Sequence, residues 1–403
     1  MKLAYVLTNG CPENRIDGSR MRKCLELNGW GAAATPGEAD LILFNACGLV
    51  DVTETLSKRI YRELERSKKA GARLVVCGCL PRINPAALAG EYDDVTFGSD
   101  DMEALGRLIR AEPGTLDCRA NDLLPYTDAP KPKLFERLRG THLSLHPYAL
   151  KTRKFQAEYE FMFKRVNITG NGGFFIKVAT GCLNECAYCA VKLSRGTVRS
   201  KPIAEILREQ EAGLSRGHSE LNLIGTDLGS YGRDLEVTLV DLLRAMTGVA
   251  GAFKIKLRNV NARFLKLMAP ELARVFAGGK VVYMSSAVQS GSNRILSLMN
   301  RGYTAEEYRQ AVATVRSGYP DLQLRTQIIV GFPGESVGDF EETLRLVDEV
   351  DFDFVEVRMF SARAGTRAFD LPGRVSKGTM LRRYYRMLKT VVAKCGRKID
   401  LPN

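Results

Sequence analysis

The sequence predicts an α/β protein in which a doubly wound parallel sheet is followed by an open barrel of the TIM type. Three observations carry that prediction. Short apolar runs alternate with helix-periodic segments from Leu3 to Arg110 and again from Gly173 onward, the pattern of successive βαβ units. The two regions are separated by Pro113 to Gly172, which carries Pro130, Pro132 and Pro147 and no sustained periodicity. With 403 residues, 45% hydrophobic and 26% charged, the chain can bury two sizeable cores and is too ordinary in composition to be disordered, collagenous or a coiled coil.

In chain order, Leu3 to Leu7, Asp40 to Phe44, Arg73 to Cys77 and Asp94 to Phe97 read as strands, with Asp17 to Asn28, Val50 to Lys69 and Asp101 to Arg110 as the helices between them. The first run is too short for a signal peptide, and no apolar run approaches the ~18 to 20 residues of a membrane span, so a cytoplasmic protein with no membrane partner is expected. Ligands of a parallel sheet gather at the carboxyl ends of its strands. Three of those ends place a cysteine beside a glycine, as Gly10-Cys11, Cys47-Gly48 and Gly78-Cys79, at separations of 36 and 32 residues. One βαβ unit spans about that length, so the three thiols are expected to converge on one sheet edge. A single strand-end cysteine is ordinarily a small buried hydrophobe; three in equivalent positions favour convergence. Cys77 competes with Cys79 for the third place, and Cys79 is preferred because it repeats the Gly-Cys register of Cys11. The ten cysteines, in a reducing cytosol, read as metal ligation or catalysis before disulfides, while Cys24, Cys118 and Cys395 read as core.

From Gly173 the strand-like runs are Phe174 to Val178, Leu221 to Ile224, Phe253 to Leu257, Val281 to Ser285, Gln323 to Val330 and Phe354 to Phe360, each followed by a helical stretch. Six β/α units point to a partial barrel with its active site at the carboxyl ends; a second doubly wound sheet has the same spacing. The expected division is 1–115, 116–172, 173–372 and 373–403. Within the second segment, Ala129 to Asn167 holds nine Lys/Arg against three Glu, interleaved with aromatics and carrying His142 and His146. That is the composition of a solvated loop and equally of a flap that grips a substrate or nucleic acid. The last element, Ser376 to Lys398, combines an apolar stripe with eight Lys/Arg and no acid, a solvated face or an anion-binding one. Overall, 59 Lys/Arg against 46 Asp/Glu give +13, a field suited to anionic ligands without choosing among them.

The strongest chemical signal is Gly181-Cys182-Leu183-Asn184-Glu185-Cys186-Ala187-Tyr188-Cys189, three thiols at CxxxCxxC spacing just after the first barrel strand. Three thiolates suit a 4Fe-4S cluster with one iron left open. Structural zinc usually takes four ligands with paired CxxC spacing, so a zinc-structured RNA-binding protein is the distant alternative. Glycine-rich turns at Gly225 to Asp234 and Gly331 to Glu335 let a ligand approach bare backbone.

This loop, with an aromatic before its last cysteine, resembles the radical S-adenosylmethionine superfamily. Arg195-Gly196-Thr197-Val198-Arg199-Ser200-Lys201-Pro202, Leu223 to Asp234, Gln289-Ser290-Gly291-Ser292, Ile329 to Glu335 and Ser361 to Thr366, together with the N-terminal cysteines, are similar in kind and order to the methylthiotransferases, in particular the threonylcarbamoyladenosine tRNA branch. The resemblance implies a flavodoxin-like N-terminal sheet and a radical S-adenosylmethionine barrel. It implies one 4Fe-4S cluster on Cys182, Cys186 and Cys189, and an auxiliary one on Cys11, Cys47 and Cys79. It also implies two molecules of S-adenosylmethionine per turnover, one for a methyl group and one for a radical that abstracts hydrogen from an unactivated carbon. Contacts to S-adenosylmethionine or substrate are expected from Tyr188, Gly225, Asp227, Arg258, Gln289, Gly331 and Arg358. A reducing donor such as flavodoxin or ferredoxin and a monomeric state are expected.

The sequence departs from the tRNA enzymes in three places. It stops where their TRAM domain would begin; Met284-Ser285-Ser286-Ala287-Val288 replaces their usual His or Leu, then Pro, before the Gln289 motif; and Gln327 stands where an Asp is common. A peptide, protein or small-molecule substrate is therefore the favoured expectation, with tRNA adenosine as the alternative.

Overall fold

The computed structural model describes residues 1–125, 156–162 and 173–398. Strands β1 (Leu3–Thr8), β2 (Gly31–Ala32), β3 (Leu41–Ala46) and β4 (Arg73–Gly78) form a parallel sheet in the order β2-β1-β3-β4. Strand β3 is buried at every position, as a strand covered on both faces must be. Helices Pro12–Leu27 and Met102–Ile109 cover one face through Met21, Leu25, Val75 and Leu105, and helix Asp51–Ser67 covers the other through Tyr61, Leu64, Leu74 and Val76.

The order is that of a flavodoxin-like sheet whose fifth strand is nearly absent. Expected over Asp94 to Phe97, it shrinks to a single bridge between Phe97 and Cys77. Phe97 is buried, but Val95 is 50% exposed and Asp94 is taken by the guanidinium of Arg73 at 2.8 and 2.7 Å, so only one residue has a reason to join the sheet. The first helix begins at Pro12 rather than Asp17. Proline suits the first helical turn, where an N–H has no partner to lose, and apolar periodicity misses that turn because Glu13 and Asn14 are buried polar residues.

The second sheet runs β11-β10-β9-β8-β7-β5-β6, with β5 (Phe174–Thr180), β6 (Arg199–Ser200), β7 (Glu220–Gly225), β8 (Lys254–Leu257), β9 (Val281–Ser285), β10 (Gln323–Val330) and β11 (Phe354–Met359). Six strands are parallel in chain order with no switch point, and β6 pairs antiparallel to β5. A doubly wound sheet would reverse direction; this one is an open barrel. Its outward side chains, among them Leu257, Met284, Leu324 and Val355, share one core with the surrounding helices. On the inner side Phe175 and Ile224 meet Ile16 of the first helix, so the N-terminal sheet's helix seats against the barrel.

Residues 156–162 are helical and cover β11: Tyr159 Oη accepts from Val357 N at 2.8 Å and donates to the Val355 carbonyl at 3.3 Å, satisfying edge groups that another strand would otherwise pair. The rest of the basic and aromatic segment, with His142 and His146, lies outside the described residues. Helix Lys377–Cys395 buries Met387, Leu388, Val391, Val392 and Cys395. Four of the eight cations between Ser376 and Lys398 are engaged by other elements: Arg383 bonds Glu335 at 2.6 Å, Arg386 pairs with Glu341, Lys394 Nζ donates to the Val347 carbonyl at 2.7 Å, and Lys398, just beyond the helix, pairs with Asp351 at 2.7 Å. The acids come from other elements, where helical periodicity cannot see them. Among the described residues no helix is long and apolar enough to cross a membrane.

Candidate active site

The N-terminal thiols sit at the ends of β1, β3 and β4, as the βαβ spacing requires. Cys11 precedes Pro12 at the head of the first helix, Cys47 follows β3, and Cys79 heads the short helix Leu80–Ile83. Cys47 is buried, Cys79 half-buried and Cys11 exposed. Burial, then the adjacent Cys79 sulfur, pushes the Cys47 thiol up to about 12, with Cys11 adding to it. Although Cys11 faces an opening, the protein around it is dense enough that burial, followed by Glu13 and Cys79, raises its thiol as well. The three sulfurs thus act on one another. Cys77 is elsewhere, fully buried with its Sγ 3.9 Å from Met21 Sδ.

A network of amides and hydroxyls ties these loops together. Asn9 Oδ1 accepts from Cys47 N at 2.8 Å, and Ser57 Oγ donates to the Cys47 carbonyl at 2.6 Å. Asn14 Nδ2 donates to Asn45 Oδ1 at 2.6 Å and to Ser99 Oγ at 3.2 Å, and Ser99 Oγ lies 3.9 Å from the Cys79 sulfur. Sequence reasoning passed over Asn9, Asn14, Asn45, Ser57 and Ser99, which stand out only by being polar where a core is expected.

The second triad lies on the loop leaving β5. Gly181 opens it at φ +83°, and a Cβ there would fall 1.8 Å from the Thr197 carbonyl oxygen, so only glycine fits. Cys182 Sγ accepts from Asn184 N at 3.3 Å and from Asn184 Nδ2 at 3.1 Å, with Asp227 Oδ2 at 3.6 Å. Cys186 Sγ accepts from Arg301 Nη1 at 3.0 Å. Cys189 receives the backbone N–H groups of Val191 and Lys192, though burial, then Cys186, keeps its thiol raised. Burial and Asp227 push Cys182 up to about 12.

The two triads are joined through one hydroxyl. Thr226 Oγ1 accepts from Gly181 N at 3.0 Å, one residue before Cys182, and donates to Glu13 Oε1 at 2.9 Å, two residues after Cys11. Below it, Lys177 Nζ donates to Asp17 Oδ1 at 2.7 Å, and Arg195, on the helix after Cys189, is buried against Asp17 and Glu13. Both sets of thiols therefore stand at one junction between sheet and barrel.

The other expected residues divide. Asp227 is buried and accepts from Ser230 Oγ at 2.7 Å, Asn184 Nδ2 at 2.8 Å, Gly229 N at 2.9 Å and Asn261 N at 3.0 Å; burial raises its carboxyl all the same. Gly225 ends β7, where a Cβ would lie 2.9 Å from the Ala179 carbonyl. Tyr188 Oη accepts from Arg301 at 3.3 Å. Gln289 is held at φ 73°, and its buried Oε1 has no partner among the described residues; a non-glycine residue there stores strain, of the sort that collects at ligand sites. Arg258 follows β8 with a buried Nη1 that has no partner among the described residues, and burial, then Arg325, pushes it down. At Gly331, held at φ +77°, a Cβ would strike Met380 of the C-terminal helix. Arg358 pairs with Glu356 and leaves 59% of its side chain exposed. Glu356 also bonds Arg325, and it accepts from Gln327 Nε2 at 2.9 Å.

Iron–sulfur clusters are held by thiolates, and each sulfur of the barrel triad meets N–H donors of the kind that stabilise one. Among the described residues no three Cys, His, Asp or Glu side chains close on a single ion, whereas a cluster spreads its ligands over several irons. The donor set fits.

Residues 176–347 match the Radical SAM superfamily, and residues 3–98 match Uncharacterized protein family UPF0004. The chain is 31% identical over 381 residues to a probable threonylcarbamoyladenosine tRNA methylthiotransferase of Pyrococcus horikoshii, covering 94% of this chain and 82% of that one. It is 30% identical to a ribosomal protein uS12 methylthiotransferase RimO of Sorangium cellulosum (98% and 78% covered) and 32% identical to that of Anaeromyxobacter sp. (92% and 73%). Among solved structures, the radical S-adenosylmethionine methyltransferase TsrM from Kitasatospora setae superposes with a TM-score of 0.61 at 13% identity, over 92% of this chain and 77% of that one, a likeness of fold alone.

An open parallel barrel whose first strand ends in a CxxxCxxC loop defines an enzyme of the radical S-adenosylmethionine superfamily. Within it, the chain belongs to the methylthiotransferase family, enzymes that transfer sulfur-containing groups and use S-adenosylmethionine and 4Fe-4S clusters.

Proposed function

We propose that this enzyme replaces hydrogen with a methylthio group on an unactivated carbon of a peptide, protein side chain or small molecule. In this reading Cys182, Cys186 and Cys189 hold the cluster of the barrel, and Cys11, Cys47 and Cys79 the auxiliary one. When bound, the first supplies the electron that cleaves S-adenosylmethionine and the second the labile sulfur. Residues 1–115 form the unit that carries sulfur and residues 173–372 the unit that makes the radical. The observation that carries this is the single Thr226 hydroxyl joining the two thiol-bearing loops. Asn184 and Asp227 fix the Cys182 end of the barrel loop, and Glu13, Asp17, Lys177 and Arg195 hold the two units face to face. Ile16, Phe175 and Ile224 keep water out of the seam beneath.

The internal engagement of Arg383, Arg386, Lys394 and Lys398 supports a substrate other than tRNA, because it leaves about half of the eight cations between Ser376 and Lys398 for a phosphate backbone. The net charge of +13 and the tRNA-modifying relatives favour the second reading, methylthiolation of threonylcarbamoyladenosine in tRNA. The chemistry is tested by two triple variants, reconstituted anaerobically. Cys182/Cys186/Cys189→Ala is expected to abolish 5′-deoxyadenosine formation. Cys11/Cys47/Cys79→Ala is expected to lose about half the iron and all sulfur transfer while still cleaving S-adenosylmethionine, since the two triads stand on separate sheets with their own cores. Unchanged iron in the second variant would overturn the two-site reading. Product mass spectrometry after incubation with peptide or tRNA pools tests the substrate class; a methylthio group found on tRNA alone establishes the second reading.

A further inference from the structure

We propose that Arg301 is a positioning residue that sets the reduction potential of the barrel cluster through its Nη1–H bond to the sulfur of Cys186. The inference rests on the cluster reading above and adds a residue that neither motif spacing nor family likeness singled out.

Arg301 follows helix Asn293–Leu298, in a turn where Asn300 (φ 57°) and Gly302 (φ 67°) are both left-handed, and it is 4% exposed. Each nitrogen of its guanidinium donates: Nε to Tyr303 Oη at 2.9 Å, Nη2 to the Ala287 carbonyl at 2.7 Å, and Nη1 to Cys186 Sγ at 3.0 Å and Tyr188 Oη at 3.3 Å. Tyr303 Oη in turn donates to the Val288 carbonyl at 2.8 Å. The fork is thus pinned from two sides, with its remaining donor aimed at sulfur.

None of these partners is a carboxylate, and among the described residues Arg301 makes no ion pair with Asp or Glu. Among the described residues, the other arginines less than a tenth exposed each have such a partner: Arg195 has Asp17, Arg325 has Glu356, Arg363 has Glu54 and Arg383 has Glu335. A buried cation without a counter-charge is costly. A thiolate at Cys186 supplies that charge, so the arginine is balanced when the sulfur is ionised and bound. The triad is also asymmetric, because Cys182 meets an amide and Cys189 the backbone, and Cys186 alone meets a cation.

A hydrogen bond from a cation draws electron density off the sulfur and favours the more negative, reduced state of the cluster, and bonds to sulfur are among the levers that set such potentials. Removing Arg301 therefore makes the cluster harder to reduce. A purely structural arginine would affect loading and stability and leave the potential of the loaded cluster unmoved.

The test is an EPR-monitored redox titration of the reconstituted full chain, in a Cys11/Cys47/Cys79→Ala background so that one cluster is read alone. Arg301→Met is expected to shift the reduction equilibrium at least tenfold toward the oxidised state, about 59 mV lower for one electron. Should the methionine variant fail to load, Arg301→Gln, which keeps a donor but no charge, is read instead and is expected to shift in the same direction. A loaded variant with the potential of its parent overturns the proposal. A parent that binds no iron at this triad overturns the cluster reading itself, which keeps the two failures distinct.

Discussion

Cys77 and Cys79 stand two residues apart, a spacing that would put both on one face had β4 continued. Gly78 prevents it. At φ +103° it turns the chain, and a Cβ there would lie 2.6 Å from the Ala46 carbonyl oxygen. Cys77 is left in the core against Met21, and Cys79 is sent to the Ser99 side, among the other thiols. Cys79→Ala is accordingly expected to lose auxiliary iron, while Cys77→Ala keeps it all and loses about 1 kcal/mol of stability, an ordinary cost for trimming a core side chain. Iron content and denaturant unfolding of the two variants check this; loss of iron from Cys77→Ala alone would move the ligand by two residues. The Gly-Cys register was legible in the sequence, but the turn that separates the two sulfurs depends on a backbone angle that glycine permits without dictating.

At the scale of elements, strands of the parallel sheets were legible because burial on both faces makes them continuous apolar runs. The short antiparallel β6 and the two-residue β2 were not, since neither has a pattern long enough to show a period. What β10 and β11 carry on their inner faces was also hidden. Burial works against ionising Glu356, but Arg358, Arg325 and Arg258 outweigh it and hold the carboxyl at about 2. A depressed carboxyl contributes stability that is whole above its ordinary value and lost as pH falls toward the folded one. The wild type is therefore expected to lose stability between about pH 4.5 and about pH 2, and Glu356→Gln to lose less over that window. At neutral pH the variant is expected to be weaker by about 3 to 5 kcal/mol, as when one member of a buried ion pair is removed. Denaturant midpoints against pH measure both effects, and parallel profiles for the two proteins would contradict the assignment.

At the scale of the whole molecule, contacts between units place the chemistry. Arg363 Nη1 donates to Asp51 Oδ1 at 2.9 Å and its other nitrogen pairs with Glu54, while Asp51 N donates to Ser361 Oγ at 3.0 Å, clamping helix Asp51–Ser67 to the loop after β11. With the Asp17 and Glu13 contacts, this grips the sheet at both ends of its thiol-bearing edge. The same accounting limits recognition of RNA. A protein that neutralises six to ten phosphates loses roughly 10³- to 10⁵-fold in affinity between 50 and 200 mM salt, and four of the eight cations between Ser376 and Lys398 are engaged internally. Binding of tRNA to the holoenzyme is expected to be weak and far less steep in salt than that; submicromolar, salt-steep binding would restore tRNA as the substrate.

The sequence by itself determined the succession of strands and helices, the place of three cysteines at strand ends and of three more in the CxxxCxxC loop, because each depends on residues close together in the chain. The tertiary structure alone decided which charges meet. Glu13 reaches Thr226 across 213 positions, Arg301 reaches Cys186 across 115, and Arg363 reaches Glu54 across 309. A guanidinium in a sequence has no marked partner; only folding, by burying it beside a carboxylate or a sulfur, settles whether it anchors a unit or faces a cluster.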